Sequence, residues 1–191
     1  MMEACRQQPI VAVVGMCGSG KSLVTGHLNE KGWNVIHFGS ITMRELEKRG
    51  LARNETNERS IREELRNKYG VGAYAVLSLP LILESQKNGL TVIDGLYSWT
   101  EYRLLKEEFG ERLFIVAVIA DRRRRYERLS VRGVRPLTSR EAELRDLAEI
   151  EKLEKGGPIA IADFFINNNG SAEALFKSVD DIIDEIFRRQ P

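Results

Sequence analysis

A glycine-rich segment, set between a β-branched apolar run and an amphipathic run, is the strongest local pattern in this chain. Residues 10–14 are apolar and mostly β-branched, which predicts a strand buried on both faces of a parallel sheet. Residues 21–31 have the periodicity of a helix. The octapeptide that joins the two matches Gly-x-x-x-x-Gly-Lys-Ser/Thr and comprises Gly15, Met16, Cys17, Gly18, Ser19, Gly20, Lys21 and Ser22. Strand, loop and helix in this order predict a ring of backbone N–H groups around bound phosphate.

The residue types of this octapeptide each suit phosphate binding. Its glycines let successive N–H groups point into one concavity, and the N-terminus of the following helix adds partial positive charge. Lys21 would bind the β- and γ-phosphates, and the Ser22 hydroxyl would ligate a metal ion. The sequence therefore predicts ATP and Mg²⁺ as cofactors, with a glycine-rich turn that binds no ligand as the alternative. Cys17 occupies a variable position of the pattern, and we interpret it as a filler and not as a redox-active thiol.

Strand-like and helix-like runs alternate along the chain. Apolar runs typical of buried strands recur at residues 10–14, 34–38, 90–93, 113–119 and 164–166. Helical periodicity lies between them, at residues 21–31, 41–49, 57–69, 73–88 and 100–109. Ser98 with Glu101, and Thr138 with Glu141, predict capping boxes, whereas residues 156–158 predict a loop. The alternation predicts an α/β fold in which helices cover both faces of a parallel sheet.

Length and composition limit the class of protein further. The 191 residues suit one compact domain over residues 1–191, and no apolar run reaches the length that spans a bilayer. Residues 1–9 do not resemble a signal peptide, so a cytoplasmic location is expected. Two cysteines, Cys5 and Cys17, cannot form a disulfide framework and are expected to be free thiols. The net charge of +1 makes nucleic acid an unexpected partner, although residues 122–125 are four consecutive arginines.

Asp94 ends a run that reads as a central strand and is followed by Gly95. Ligands collect at the carboxyl ends of strands in such sheets, so a carboxylate there can hold the water shell of Mg²⁺. The alternative is a turn aspartate, since Asp-Gly is a common turn pair. We therefore predict Ser22 and Asp94 as the metal-binding residues.

Motifs spread over nearly the whole chain resemble those of the nucleoside monophosphate kinase group of P-loop proteins. Within it, the chain is most similar to a largely archaeal family related to adenylate kinases and dephospho-coenzyme A kinases. The order of the motifs carries the resemblance, since only the first is highly specific alone. They are VGMCGSGKS at 14–22, MRE at 43–45, LR at 65–66, YGVG at 69–72, VIDG at 92–95, RYERL at 125–129, RD at 145–146, AD at 162–163 and NGS at 169–171.

The resemblance implies a five-stranded parallel P-loop fold with two added regions. An acceptor-binding helical region would cover about residues 39–88, and a small arginine-rich lid about residues 121–157. Adenylate kinases place an arginine on the acceptor phosphate where this chain has Arg44. The predicted acceptor-binding residues are Ser40, Arg44, Arg66, Asp94 and Tyr97. The predicted catalytic residues are Lys21 and the lid arginines Arg128, Arg132, Arg135 and Arg145. One or two of the arginines are expected to act in the lid and the remainder to be exposed, and the alternative for residues 122–125 is a nucleic-acid or solvated face.

Two departures from the relatives bear on the acceptor. Dephospho-coenzyme A kinases carry an aspartate just after the second strand that resembles a general base. Residues 38–43 of this chain contain no carboxylate, so a hydroxyl acceptor would lack that base. Adenylate kinases follow their Asp-Gly with an arginine that reaches the acceptor phosphate, but residues 96–98 contain none. We predict an ATP-dependent phosphotransferase, monomeric or homodimeric, that acts on a small nucleotide-like acceptor, with a nucleoside monophosphate favoured. The alternatives are a dephospho-coenzyme A kinase-like reaction on a ribose hydroxyl, and a nucleotide-binding switch or slow ATPase that acts through a partner.

Overall fold

A five-stranded, wholly parallel sheet forms the centre of the computed structural model, which describes residues 8–133 and 135–189. The strands are β1 (Ile10–Val14), β2 (Asn34–His37), β3 (Thr91–Asp94), β4 (Leu113–Ile119) and β5 (Phe164–Asn167), in the order β2-β3-β1-β4-β5. The helices are α1 (Lys21–Glu30), α2 (Ser40–Lys48), α3 (Glu55–Tyr69), α4 (Ala73–Asn88), α5 (Trp99–Phe109), α6 (Arg122–Val131), α7 (Ser139–Glu151), α8 (Gly156–Ala160) and α9 (Ala172–Arg189). The predicted α/β fold and its five strands are confirmed.

Helices cover both faces of the sheet, and alternate residues of β1 point into the two cores that result. Val11 and Val13 join a core that includes Val24 of α1 and Leu175 and Val179 of α9. The other face of β1 joins a larger core built with the helices of residues 40–109. Its buried members from β1 and these helices include Ile10, Ala12, Val14, Ile41, Leu46, Ile61, Leu65, Tyr74, Ile82 and Leu105.

Local capping decides where several helices begin. Helix α3 begins before the predicted residue 57, because the Asn54 side chain accepts a hydrogen bond from Asn57 N at 2.9 Å and caps the helix. Both predicted capping boxes are present at the starts of α5 and α7. The loop prediction for residues 156–158 was wrong, because these residues lie in the short helix α8. Proline is compatible with a first helical turn, where its missing N–H is not needed.

The strand order indicates which end of the sheet is suited to bind a ligand. β1 lies between β3 and β4, so the chain leaves β1 toward β2 on one side and later returns to β4 on the other. Open α/β sheets bind ligands outside the carboxyl ends of the strands at such a switch point. Residues 15–22, here called the glycine loop, begin directly after β1 and therefore lie there. Among the helices of the described residues, none has both the length and the apolar character needed to cross a bilayer.

Candidate functional site

The glycine loop is closely enclosed by the ends of β4 and β5. Gly15 has φ +145° and Gly20 has φ +101°, so both adopt backbone that residues with a Cβ rarely adopt. A Cβ on Gly15 would overlap the carbonyl oxygen of Val118, and one on Gly20 would overlap the side-chain amide of Asn168. Asn168 also donates from Nδ2 to the carbonyl oxygen of Ser19 at 2.8 Å. The bend of the loop thus requires glycine at both positions, because of their backbone conformation and because a side chain would have no room there.

Lys21 folds back over the glycine loop. Its Nζ donates to the carbonyl oxygens of Gly15 at 2.8 Å and Met16 at 3.2 Å. Burial, followed by the positive charge of Lys155, lowers the pKa of Lys21 to about 8. A buried ammonium whose charge is incompletely compensated attracts an anion, and an anionic ligand would relieve this repulsion.

Asp94 lies beside α1 at the carboxyl end of β3. Its Oδ2 accepts a hydrogen bond from Thr25 Oγ1 at 3.4 Å and lies 3.2 Å from His37 Nδ1. Burial alone would raise the Asp94 pKa, but the hydrogen bond from His37 and the charges of His37 and Lys21 lower it overall. The carboxylate is therefore ionised at neutral pH, as a metal-binding oxygen must be.

His37 is a neighbour of the site that no sequence motif indicates. It ends β2, and the sheet register pairs it directly with Asp94 of β3. Burial lowers its pKa, but the hydrogen bond to Asp94 acts more strongly and leaves the pKa raised. The available signal was that each residue lies next to the last residue of a predicted strand, although the sequence does not state that β2 and β3 are adjacent.

The donor set fits a magnesium nucleotide. Ser22, in the first turn of α1, and Asp94 supply hard oxygen atoms, which Mg²⁺ prefers. Among residues 8–133 and 135–189, no group of three His, Cys, Asp or Glu side chains could hold a metal by itself. Mg²⁺ commonly takes one or two protein ligands and completes its shell with phosphate and water, so the two residues suffice.

The four predicted lid arginines lie in two places. Arg128 donates to the carbonyl oxygens of Asn168 at 2.8 Å and Gly18 at 3.5 Å, beside the glycine loop. The positions of the others are as follows: Arg145 pairs with Glu149 at 3.3 Å, Arg132 donates to the carbonyl oxygen of Arg135, and Arg135 pairs with Glu58 of α3. Arg135 thus connects the lid to the predicted acceptor region through Glu58, and both Arg132 and Arg135 would have to change partners to bind a triphosphate.

Arg125 differs from the exposed arginines around it. Its guanidinium makes a two-point ion pair with Asp146, at 2.9 and 2.5 Å, and donates to the carbonyl oxygen of Cys17 at 3.0 Å. Arg122, Arg123 and Arg124 are exposed, in line with the expectation for most of the run. Arg125 therefore joins α6, α7 and the glycine loop.

The predicted acceptor residues form two groups. Arg44 donates to Ser40 Oγ at 3.2 Å and lines a cavity of about 380 Å³ between α2, α3 and α4. Arg66 instead lies with its guanidinium carbon 5.4 Å from the ring centre of Tyr74, and its buried Nε has no hydrogen-bond partner among the described residues. Tyr97 is half-buried and packs edge-on against Tyr74 and Phe38.

A buried carboxylate near this region gives a test of the site's electrostatics. Glu101 is 0% exposed, and its Oε2 accepts from Tyr97 N at 2.7 Å and Ser98 N at 3.1 Å. Burial raises its pKa from 4.5 to about 7. The folded state therefore holds a proton that the unfolded state releases, so wild-type stability should fall as pH rises from 4.5 to 7.

Glu101→Gln is expected to remove that pH dependence. Between about pH 4.5 and 8, the free energy of unfolding of the variant should gain up to about 3 kcal/mol relative to wild type. Urea unfolding at several pH values measures this difference. Glu141→Gln is the matched control, because Glu141 has the same capping-box position on α7 but its hydrogen bonds from Thr138 lower its pKa, so its effect on stability should stay nearly constant above about pH 5 and change only at lower pH. If the difference in free energy of unfolding between wild type and Glu101→Gln did not change with pH, the prediction would be contradicted.

Sequence reasoning also missed an ion pair close to the glycine loop. Lys155, which directly precedes α8, is 2% exposed and its Nζ lies 2.8 Å from Glu149 Oε2. The Lys155 ammonium lies 5.5 Å from the centre of the Tyr97 ring, within the range of a cation–π contact. A lysine in a predicted glycine-rich loop has no distinguishing local pattern, so only the fold reveals its burial.

Comparisons with known proteins agree with this architecture. A family model described as an AAA domain matches residues 11–147. A shikimate kinase from Acinetobacter baumannii, solved with shikimate, has a TM-score of 0.56 at 19% identity over 100% of this chain and 99% of that one. A gluconokinase from Sinorhizobium meliloti has a TM-score of 0.59 at 13% identity over 97% and 99%.

Relatives with higher sequence identity are UPF0200 proteins. That of Thermococcus kodakarensis is 36% identical over 184 residues, which cover 94% of this chain and 99% of the relative. That of Aeropyrum pernix is 38% identical over 169 residues, which cover 87% of each. The predicted membership of a largely archaeal P-loop family is thereby confirmed. The chain belongs to the UPF0200 family and has the fold of P-loop kinases.

Proposed function

We propose that this protein is an ATP-dependent phosphotransferase that moves the γ-phosphoryl group to a small acceptor. The observation that carries the proposal is the position of Lys21, a buried ammonium on a glycine loop at the switch point of the sheet. The kinase-like fold supports the reaction class. The cytoplasmic location expected from the sequence is part of the proposal, since the reaction needs a supply of ATP.

In the proposed mechanism, the chain binds and orients the reactants and stabilises developing negative charge. The loop N–H groups and Lys21 would bind the β- and γ-phosphates, and Ser22 and Asp94 would hold Mg²⁺. Bound Mg²⁺ neutralises charge on the phosphate oxygens. Arg128, which donates to the Gly18 carbonyl oxygen of the loop, would bind phosphate oxygens after a side-chain movement, and Arg145 of α7 would join it. No covalent intermediate on the protein is required.

A nucleoside monophosphate is the acceptor we propose. The cavity beside Arg44 is also lined by Lys48, Lys68 and Arg49, and Arg49 pairs with Glu45 and Glu64 of the same wall, so Lys48 and Lys68 join Arg44 as the cations that suit a phosphate. Arg66 lies on α3 outside this lining and adds a guanidinium whose buried Nε has no partner among the described residues. An acceptor phosphate is already an anion and needs no general base, which agrees with the lack of a carboxylate at residues 38–43.

Transfer to a hydroxyl group is a second candidate. The similar solved structures include kinases named for shikimate and gluconate, and Asp94 is a carboxylate at the correct edge of the sheet. Dephospho-coenzyme A, whose acceptor is a ribose hydroxyl, belongs to the same class. Because Asp94 is also the proposed metal-binding residue, it would need to serve both roles in such a reaction.

An acceptor panel tests the proposal directly. The protein is incubated with γ-labelled ATP and Mg²⁺, and with each of the common nucleoside monophosphates, dephospho-coenzyme A, shikimate or gluconate. We expect label to move to a nucleoside monophosphate, with ADP release that depends on that acceptor. Label on a hydroxyl compound would favour the second candidate. Slow ADP release that no acceptor accelerates would contradict both and favour a nucleotide-binding switch or ATPase.

A further inference from the structure

We propose that Lys155 is a second phosphate-binding lysine, which binds the γ-phosphoryl group at the point where it leaves ATP for the acceptor. Its partner Glu149 would hold the ammonium in place while the site is empty. The inference rests on the proposed phosphotransferase function and assigns a role to a residue outside the glycine loop and outside the arginines of the lid.

The charge balance around Lys155 favours an anionic ligand. Lys155 and Arg145 both pair with Glu149, at 2.8 and 3.3 Å, so one carboxylate serves two cations. Of these two cations Lys155 is the buried one, since it is 2% exposed whereas the Arg145 side chain is 46% exposed. Burying a lysine is costly unless its charge is matched, and a carboxylate shared with a second cation leaves part of the Lys155 charge for a ligand that supplies negative charge.

Lys155 lies between the glycine loop and the acceptor wall. On one side, its partner Glu149 lies one turn after Asp146 on α7, and Asp146 holds Arg125, which donates to the Cys17 carbonyl oxygen of the glycine loop at 3.0 Å. On the other side, its ammonium lies 5.5 Å from the centre of the Tyr97 ring, and the Tyr97 hydroxyl lies against Gly95, directly after Asp94. A phosphoryl group that passes from ATP bound by Lys21 to an acceptor beside Tyr97 would therefore pass within reach of Lys155.

The backbone holds Lys155 in a fixed position at the end of the lid. Lys155 N donates to the carbonyl oxygen of Glu149 at 3.1 Å, closing the turn after α7. Glu154 has φ +53°, a conformation that costs energy for a residue with a side chain. Gly157 then lies against Trp99, where a Cβ would come within 2.8 Å of the indole ring. The chain thus has a strained backbone at Glu154 and a close contact at Gly157, on either side of Lys155.

A purely structural salt bridge between α7 and α8 is the competing explanation, and nucleotide discrimination separates the two. The dissociation constants of Mg·ADP and of the Mg²⁺ complex of a β,γ-imido ATP analogue are measured by calorimetry for wild type and Lys155→Met. We expect the variant to lose roughly 10- to 100-fold in affinity for the analogue, as for loss of a charge-assisted hydrogen bond, and about 2-fold or less for ADP. Lys155→Arg should retain most of the preference.

Two control variants separate a loss of nucleotide binding from a loss of folding. Lys152→Met removes an exposed lysine three residues away and should bind both nucleotides as wild type does. Lys155→Met leaves Glu149 with one fewer cation, so the double variant Glu149→Gln/Lys155→Met, which removes both charges, is measured in parallel with thermal unfolding of each protein. We expect the double variant to show the same selective loss of the analogue.

The outcomes distinguish this inference from the proposed function. If wild type binds both nucleotides and the folded Lys155 variants keep the wild-type ratio of affinities, or lose both nucleotides equally, the assignment of Lys155 is wrong and the phosphotransferase proposal stands. If wild type binds neither nucleotide, the phosphotransferase proposal fails and the role of Lys155 fails with it.

Discussion

Lys21→Met is expected to weaken binding of both Mg·ATP and Mg·ADP by about 100-fold or more while leaving the chain folded. The variant loses an ammonium that would contact the β- and γ-phosphates, and charge-assisted contacts of this kind are the strongest class of hydrogen bond. Calorimetric titration with each nucleotide measures the effect. Wild-type affinity in this variant would remove the observation on which the proposed function depends. Lys177→Met, which changes an exposed lysine on α9, is the control.

The same substitution should change how stability depends on pH. The pKa of Lys21 is about 8 in the folded state and 10.5 in the unfolded state, so between these values only the unfolded state holds the proton. Wild-type stability should therefore rise relative to Lys21→Met as pH increases through this window, by up to about 3 kcal/mol. Denaturant unfolding of both proteins at about pH 7, 9 and 10.5 tests the sign. A constant difference would show that the ammonium is well compensated in the folded state.

Arg125→Met is expected to lower the free energy of unfolding by about 3–5 kcal/mol, the largest stability effect we predict. Its guanidinium and the Asp146 carboxylate are about nine-tenths buried, with side-chain exposures of 9% and 11%. Removing the cation leaves the Asp146 carboxylate enclosed without its ion-pair partner. The donor to the carbonyl oxygen of Cys17 is lost as well, so the glycine loop loses one of its supports.

Urea unfolding of three variants tests this explanation. Arg123→Met changes an exposed arginine of the same helix, 90% exposed, and should cost less than about 0.5 kcal/mol. The double variant Arg125→Met/Asp146→Asn, which removes both charges, should recover a large part of the loss, because the buried uncompensated charge is gone. Equal losses for Arg123→Met and Arg125→Met would contradict the buried ion pair.

Local pattern was enough for most of the fold. Apolar runs predicted all five strands, and capping boxes at Ser98 and Thr138 predicted the starts of α5 and α7. These features depend on residues within a few positions of each other, so they are readable in order along the chain. The glycine loop belongs to the same class, since strand, glycines, Lys21 and helix are contiguous.

The surroundings of the loop required the tertiary structure, because they join residues far apart in sequence. Nothing near Arg125 distinguishes it from three adjacent arginines, yet it alone of the four is buried, since Asp146 lies on a helix that packs against α6. His37 meets Asp94 because β2 and β3 are adjacent in the sheet. Lys155 lies between Glu149 and the Tyr97 ring because α8 returns the chain from the lid to β5. Local sequence thus specifies what each segment forms, whereas long-range packing decides which charged side chains lose contact with water and therefore which can act on a ligand.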